Sequence, residues 1–230
     1  MHATVEAVSV RRYLLAVALA AALLFALLAR WVLAGDSMIF DLWIRDTVHS
    51  WASPFLTTLL LGITMLGSEW VMLPLGTVLV WRLATLRRRR HAMLLAAGSL
   101  GAELVSQVLK LAFHRVRPPV FFGLTPAETY SFPSGHAFVG TVFYGLLACI
   151  LVEFYRRRRA AAIAVAMLTV LLVGLSRVYL GYHYPTDVIG GWTCAAAWLA
   201  MLKLASLSSA PIDAASKPQK QHYEQRLKYR

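Results

Sequence analysis

Charge is scarce in this sequence. Only 15% of its 230 residues are Asp, Glu, Lys or Arg, against about a quarter in an average soluble domain. Acid is scarcer than base, 11 residues against 23. Cysteine is nearly missing: Cys149 and Cys194 both sit inside apolar blocks, where a free thiol behaves as a small hydrophobe. That excludes a disulfide framework and argues against a metal centre built on thiolates. There is no internal repeat and no low-complexity segment beyond two arginine runs.

What is abundant is apolar sequence, 59% of the chain, in long unbroken blocks such as 13–29 and 160–175. One soluble domain would fit the length, but its apolar residues would be dispersed at core spacing. Runs of roughly 18 or more apolar residues instead suit a hydrocarbon layer about 30 Å thick. Six spans are expected, at roughly 13–34, 55–81, 91–113, 134–155, 160–180 and 185–207. The second is long for one span, and Gly67, Ser68 and Glu69 interrupt it, which suits a start lying in the interface; the fifth needs to continue past Ser176. Arg11 and Arg12 before an apolar run also mark a signal peptide, but this run exceeds the roughly 7–15 residues of a signal core. The expectation is an all-α polytopic membrane domain over 1–207, followed by a basic, disordered cytoplasmic tail over 208–230.

A net charge of +12 could indicate nucleic acid. The positions of the charges argue against that. Arg87, Arg88, Arg89 and Arg90, and again Arg156, Arg157, Arg158 and Arg159, fall between apolar blocks. With both termini cytoplasmic, 17 of the 23 basic residues lie on the inner side, which fixes the orientation under the positive-inside rule. An Ala-, Leu- and Arg-rich chain of this kind points to a bacterial inner membrane. Residues 36–52 have the pattern of an amphipathic helix in the outer interface: Phe40, Trp43, Ile44, Val48 and Trp51 share one face, and Asp41, Arg45, Asp46 and His49 lie away from it. An ordered connecting loop is the plainer alternative.

This topology puts the remaining polar residues at one, extracytoplasmic, set of helix ends. Lys110 and Arg117 are two helical turns apart and share a face if the helix persists, with Pro118 marking its end. A lysine inside an apolar span costs about 2.5–3.5 kcal/mol on insertion scales, so it faces a polar interior or snorkels to the surface. Pro133 suits a helix start, and Ser134 and Gly135 then offer backbone N–H groups to an anion, with His136 on the first turn; taken alone, the tripeptide also reads as a helix cap. Pro185 keeps His183 at the helix mouth and puts Asp187 on the first turn, where a carboxylate can fix the imidazole tautomer; a structural cap would look the same. Glu69 and Glu103, inside spans, need polar partners or line an approach path. His114 and Arg115 are expected to meet the headgroup region, and Trp70, Trp81 and Trp198 to serve as packing or interface anchors.

Together the ordered pattern reads Lys-x6-Arg-Pro, Pro-Ser-Gly-His and Ser-Arg-x5-His-x3-Asp, complete between Lys110 and Asp187. It resembles the type 2 phosphatidic acid phosphatase (PAP2) superfamily, in particular its integral membrane lipid-phosphatase branch; vanadium-dependent haloperoxidases and bacterial acid phosphatases belong to the same superfamily. The resemblance implies that His183 attacks phosphorus, Asp187 orients it, and His136 protonates the leaving oxygen and then activates water. It implies that Lys110, Arg117, Arg177, Ser134 and Gly135 hold the phosphate. Three fixed cations would supply the neutralisation that Mg²⁺ gives elsewhere, so no cofactor and no metal are expected. The implied substrates are undecaprenyl diphosphate, phosphatidylglycerol phosphate and phosphatidate, hydrolysed without a nucleic-acid partner. A phosphotransferase using the same phosphohistidine is the first alternative and a non-enzymatic lipid-binding or transport subunit the second. A haloperoxidase is disfavoured by the membrane spans. Segment 36–52 is expected to wall the path of the lipid, with Trp43 as its contact.

Overall fold

A computed structural model describes residues 2–208; the expectation of a disordered tail lies almost wholly outside the described residues. Eight α-helices follow in order: α1 His2–Leu33, α2 Met38–His49, α3 Pro54–Met65, α4 Glu69–Thr85, α5 Arg89–Phe113, α6 Gly135–Phe154, α7 Arg159–Tyr179 and α8 Pro185–Ser208. A 3₁₀ turn, Arg156–Arg158, joins α6 to α7. α1, α5, α6, α7 and α8 are each long and apolar enough to cross a bilayer. α3 and α4 qualify together as a sixth span, bent by 40° where Gly67 and Ser68 interrupt the run. The fifth span does pass Ser176, ending at Tyr179. The fold is thus all-helical, in an integral membrane protein.

The outside is as informative as the core. Leu19, Leu23, Leu104 and Val165 are each more than 60% exposed, and a stripe of such residues needs lipid, not water, around it. Inside, where lipid supplies no hydrophobic drive between helices, packing depends on close approach. Leu95, Ala102, Phe138, Val142 and Ala195 form the buried centre among α5, α6 and α8. Glycines set the spacing: a Cβ on Gly101 would sit 2.7 Å from the Trp198 ring, and one on Gly98 2.8 Å from Leu146. Trp198 donates its Nε1–H to the Gly98 carbonyl at 2.9 Å, so it is a packing residue, whereas Trp70 and Trp81 are largely exposed.

The two arginine runs share one end of the bundle. Arg90 donates to the Ser206 carbonyl at the end of α8, and His91 meets Glu153 near the end of α6 at 2.9 Å. The opposite end carries the loop 114–134, the α7–α8 turn and α2. There Phe121 N–H donates to the Leu180 carbonyl at 3.1 Å, and Ser131 N–H to the Arg115 carbonyl at 2.8 Å. Those contacts fold the loop back over the helix ends.

Helix α2 is amphipathic as expected, but it turns its polar side to the protein. Asp41 and Arg45 are buried, while Ile39 is 84% and Trp43 63% exposed. Asp41, Arg45 and His49 thus form an inward stripe, His49 stacking on Phe121, while Asp46 stays exposed and Val48, expected on the apolar outer face, packs inward against the clusters of Leu60 and Val188 instead.

Candidate active site

The α7–α8 turn places His183. Gly181 adopts φ +81°, open to glycine, and a Cβ there would meet the Phe121 backbone nitrogen at 2.8 Å. Pro185 then opens α8, leaving His183 outside the helix and Asp187 on its first turn. Both are buried. His183 Nδ1 lies 3.3 Å from Asp187 Oδ2, and Nε2 lies 3.0 Å from Arg117 Nη1. A guanidinium only donates. These partners therefore assign the proton to Nδ1 and the lone pair to Nε2. Asp187 Oδ2 also accepts from Ser131 Oγ at 2.5 Å and from Tyr184 N–H at 2.8 Å. Burial pushes the His183 pKa well below its ordinary 6.5, and the charges of Arg117, Arg177 and Lys110 push it the same way. The ring is neutral at physiological pH, and its lone pair faces a cluster of cations.

Those cations come from separate elements. Lys110 is buried on the last turn of α5. The helix stops at His114, in the left-handed region at φ 49°, before Pro118 is reached. Lys110 and Arg117 therefore do not share a helical face. The non-helical segment after His114 brings Arg117 to the imidazole instead. Its guanidinium is anchored by the Thr129 carbonyl at 2.5 Å, Thr129 Oγ1 at 2.9 Å and the Tyr182 carbonyl at 2.9 Å. Burial lowers the Arg117 pKa from its ordinary value, with Asp187 and Tyr182 acting against that shift; an arginine remains charged regardless. Arg177, on the last turn of α7, donates to Thr64 Oγ1 at 3.0 Å and lies 4.1 Å from the Tyr182 ring centre, with its Nε–H unpaired.

The start of α6 completes the pocket, with one change of role. Ser134 N–H is already spent on the Asp187 carbonyl at 2.9 Å, so it cannot cradle an anion. Its hydroxyl can: it is buried without a partner. The N–H groups of Gly135, His136 and Ala137 lie in the first turn, which has no intrahelical acceptors. Ser106, one turn before Lys110, is a second buried hydroxyl without a partner. A Cβ on Gly135 would lie 3.5 Å from both Ser106 Oγ and Lys110 Nζ, so these three groups adjoin. His136 is half-buried within electrostatic reach of Arg177, His183, Lys110 and Arg117. It packs at the α3–α4 bend, where a Cβ on Gly67 would come within 3.1 Å of its ring. All eight expected residues thus gather at one end of the bundle.

Four further residues belong to this end. Ser131 gave no sequence signal. Arg115, expected among headgroups, is instead enclosed, 2.5 Å from Asp187 Oδ1 and 2.6 Å from Asp41 Oδ2; only His114 stays exposed, its ring edge-on to Tyr130. Asp41 and Thr186 join the same network. The signal available for Asp41 and Arg115 was their charge at positions otherwise bound for a membrane interface. Glu69 and Glu103 line a groove of about 480 Å³ between α4 and α5 that also includes Val139, one turn beyond His136. Glu103 accepts from Gln107 at 2.5 Å.

Known proteins share this architecture. The PAP2 superfamily profile matches residues 91–208. The chain is 34% identical over 143 residues to phosphatidylglycerophosphatase B of Bacillus subtilis, covering 61% of this chain and 70% of that one. It is 30% identical over 162 residues to the undecaprenyl-diphosphatase of Sulfolobus acidocaldarius, covering 68% and 73%. The crystal structure of a transmembrane PAP2-type phosphatidylglycerolphosphate phosphatase from Bacillus subtilis superposes with a TM-score of 0.79 at 28% identity, covering 85% of this chain and 98% of that one.

Proposed function

The chain belongs to the PAP2 superfamily, and on that footing we propose that it is a membrane lipid phosphatase working through a phosphohistidine. The observation that carries this is the His183 ring: Nδ1 is held by Asp187 while Nε2 faces Arg117. The Nε2 lone pair attacks phosphorus, and the bond from phosphorus to the lipid oxygen breaks. His136, protonated once the negative charge of the bound phosphate offsets the neighbouring cations, gives its proton to that oxygen. Water then loses a proton to His136 and attacks the phosphohistidine, the P–N bond breaks, and its electron pair returns to Nε2. Asp187 balances the positive charge that develops on the imidazole. Lys110, Arg117, Arg177, the Ser134 hydroxyl and the first N–H groups of α6 hold the phosphate oxygens as charge builds.

The cations make a metal unnecessary in this reading. The two buried carboxylates nearest the site, Asp41 and Asp187, are both committed to Arg115. The names of the relatives point to phosphatidylglycerol phosphate and to undecaprenyl diphosphate as substrates. Their headgroups would reach the helix ends while their tails stay in lipid, the groove at Glu69 and Glu103 offering room for part of a chain. The arginine runs at the far end support a site on the extracytoplasmic face of a bacterial inner membrane, with both termini inside.

The test is phosphate release by purified protein in detergent with EDTA, from phosphatidylglycerol phosphate, farnesyl or undecaprenyl diphosphate and phosphatidate, beside His183→Ala. Release that EDTA leaves intact and the substitution abolishes is the expected result. Activity restored only by Mg²⁺ would overturn metal independence. Labelled phosphate appearing on a second lipid instead of in solution would make the protein a transferase.

A further inference from the structure

Arg115 joins two fully buried carboxylates. Its Nη1–H donates to Asp187 Oδ1 at 2.5 Å and to Thr186 Oγ1 at 2.8 Å. Its Nη2–H donates to Asp41 Oδ2 at 2.6 Å and reaches Ser37 Oγ at 3.3 Å. Its guanidinium carbon lies 4.3 Å from the centre of the Tyr184 ring. Asp41 in turn accepts the Thr186 N–H on Oδ1 at 3.0 Å and the Thr186 hydroxyl on Oδ2 at 2.8 Å. A carboxylate from α2 therefore caps the first turn of α8, the turn that carries Asp187.

We propose that Asp41 and Arg115 are positioning residues for phosphoryl transfer, fixing the rotation of the Asp187 carboxylate from behind. This rests on His183 and Asp187 being the reacting pair. Asp187 has two oxygens with different work. Oδ2 takes Ser131, Tyr184 N–H and His183, and so faces the imidazole. Oδ1 has Arg115. A bond on each oxygen leaves the carboxylate one orientation, and a planar fork is suited to hold it there. Arg115 could not be anchored by Asp187 alone, because a charge buried in an apolar bundle needs its other donors paired. Asp41 supplies that pairing. It comes from α2, the helix whose outer face carries Ile39 and Trp43. Catalytic geometry is thereby tied to a helix in the membrane surface.

The alternative is that Asp41 merely fastens α2. Arg45 is the control: it fastens the same helix through the Pro119 carbonyl and the Phe121 face without touching Asp187. The experiment compares Asp41→Asn, Arg115→Lys, Arg45→Met and His183→Ala as full-length proteins in detergent. It records kcat, KM and the competitive Ki of inorganic phosphate at a temperature well below each melting midpoint. Positioning predicts kcat lowered roughly 10- to 100-fold in Asp41→Asn and Arg115→Lys, the range for outer partners that orient histidine ligands. KM and the phosphate Ki should stay within about twofold, because the phosphate cradle is separate. Arg45→Met should lower the melting midpoint more than kcat. An equal kcat loss in Arg45→Met, or activity in Asp41→Asn that recovers on cooling, would overturn the proposal and leave a fastening role. Activity retained in His183→Ala would instead overturn the reacting pair itself.

Discussion

The imidazole of His183 shows how a buried site sets its own chemistry. A histidine in water is half protonated near pH 6.5, and a protonated ring cannot attack phosphorus. Here burial and three neighbouring cations depress the pKa, so the lone pair persists as pH falls through the ordinary imidazole range. The kcat/KM profile, which reports the free enzyme and free substrate, should then show no acid limb at 6.5 from this residue. The acid limb should follow the ionisation of the substrate phosphate, about 6 for a monoester, and move when the substrate is changed. A limb fixed near 6.5 for every substrate would contradict the depressed value. Linkage has the same sign. Below 6.5 the unfolded chain binds a proton at this residue that the folded chain refuses, so the His183 contribution to stability falls as pH drops.

At the scale of elements, α2 deviates most from what its pattern alone conveys. Its periodicity was legible, and Trp43 does lie on the outward face. The pattern could not tell that Asp41 and Arg45 would be buried while Asp46 stayed exposed, because helical periodicity separates two faces without saying which of them meets protein. If the outward face seats the helix in lipid, Trp43→Ala should reduce turnover of long-chain lipid phosphates several-fold. Turnover of a short soluble phosphate ester should change little. Equal losses on both would remove the bilayer from the explanation. The start of α6 teaches a similar lesson. Pro-Ser-Gly-His marked a helix N-terminus correctly, yet the Asp187 carbonyl takes the Ser134 N–H. The serine hydroxyl is left buried without a partner.

For the whole molecule, the polar ends and the arginine ends are opposite poles, and that separation supports the orientation. Val116 is 79% exposed at the site end and Leu86 55% exposed beside Arg87. With Cys149 and Cys194 replaced by alanine, Val116→Cys in spheroplasts should react with a membrane-impermeant maleimide, and Leu86→Cys only after permeabilisation. The opposite labelling pattern would invert the topology and put the site in the cytoplasm. Cooperation across the molecule is also visible in composition: the polar end draws its buried charges from α2, α5, α7, α8 and the loop 114–134.

Much of this was determined by the sequence. Long apolar blocks have few ways to satisfy their backbone in lipid except as helices, so the spans, the interruption at Gly67 and the grouping of Lys110, Arg117, Ser134, His136, Arg177, His183 and Asp187 at one set of helix ends were all readable, whereas the 40° bend at that interruption was not. Proline placed His183 at the mouth of α8 for local reasons that need no tertiary contact. What only the tertiary structure decided were the pairings between residues far apart in the chain. Arg117 reaches His183 because α5 ends at His114, not at Pro118. Asp187 is held by Arg115 and, through it, by Asp41. Spacing along a chain specifies which side chains share a helical face, but the partner of a buried charge is chosen by whichever opposite charge the packing of other helices delivers.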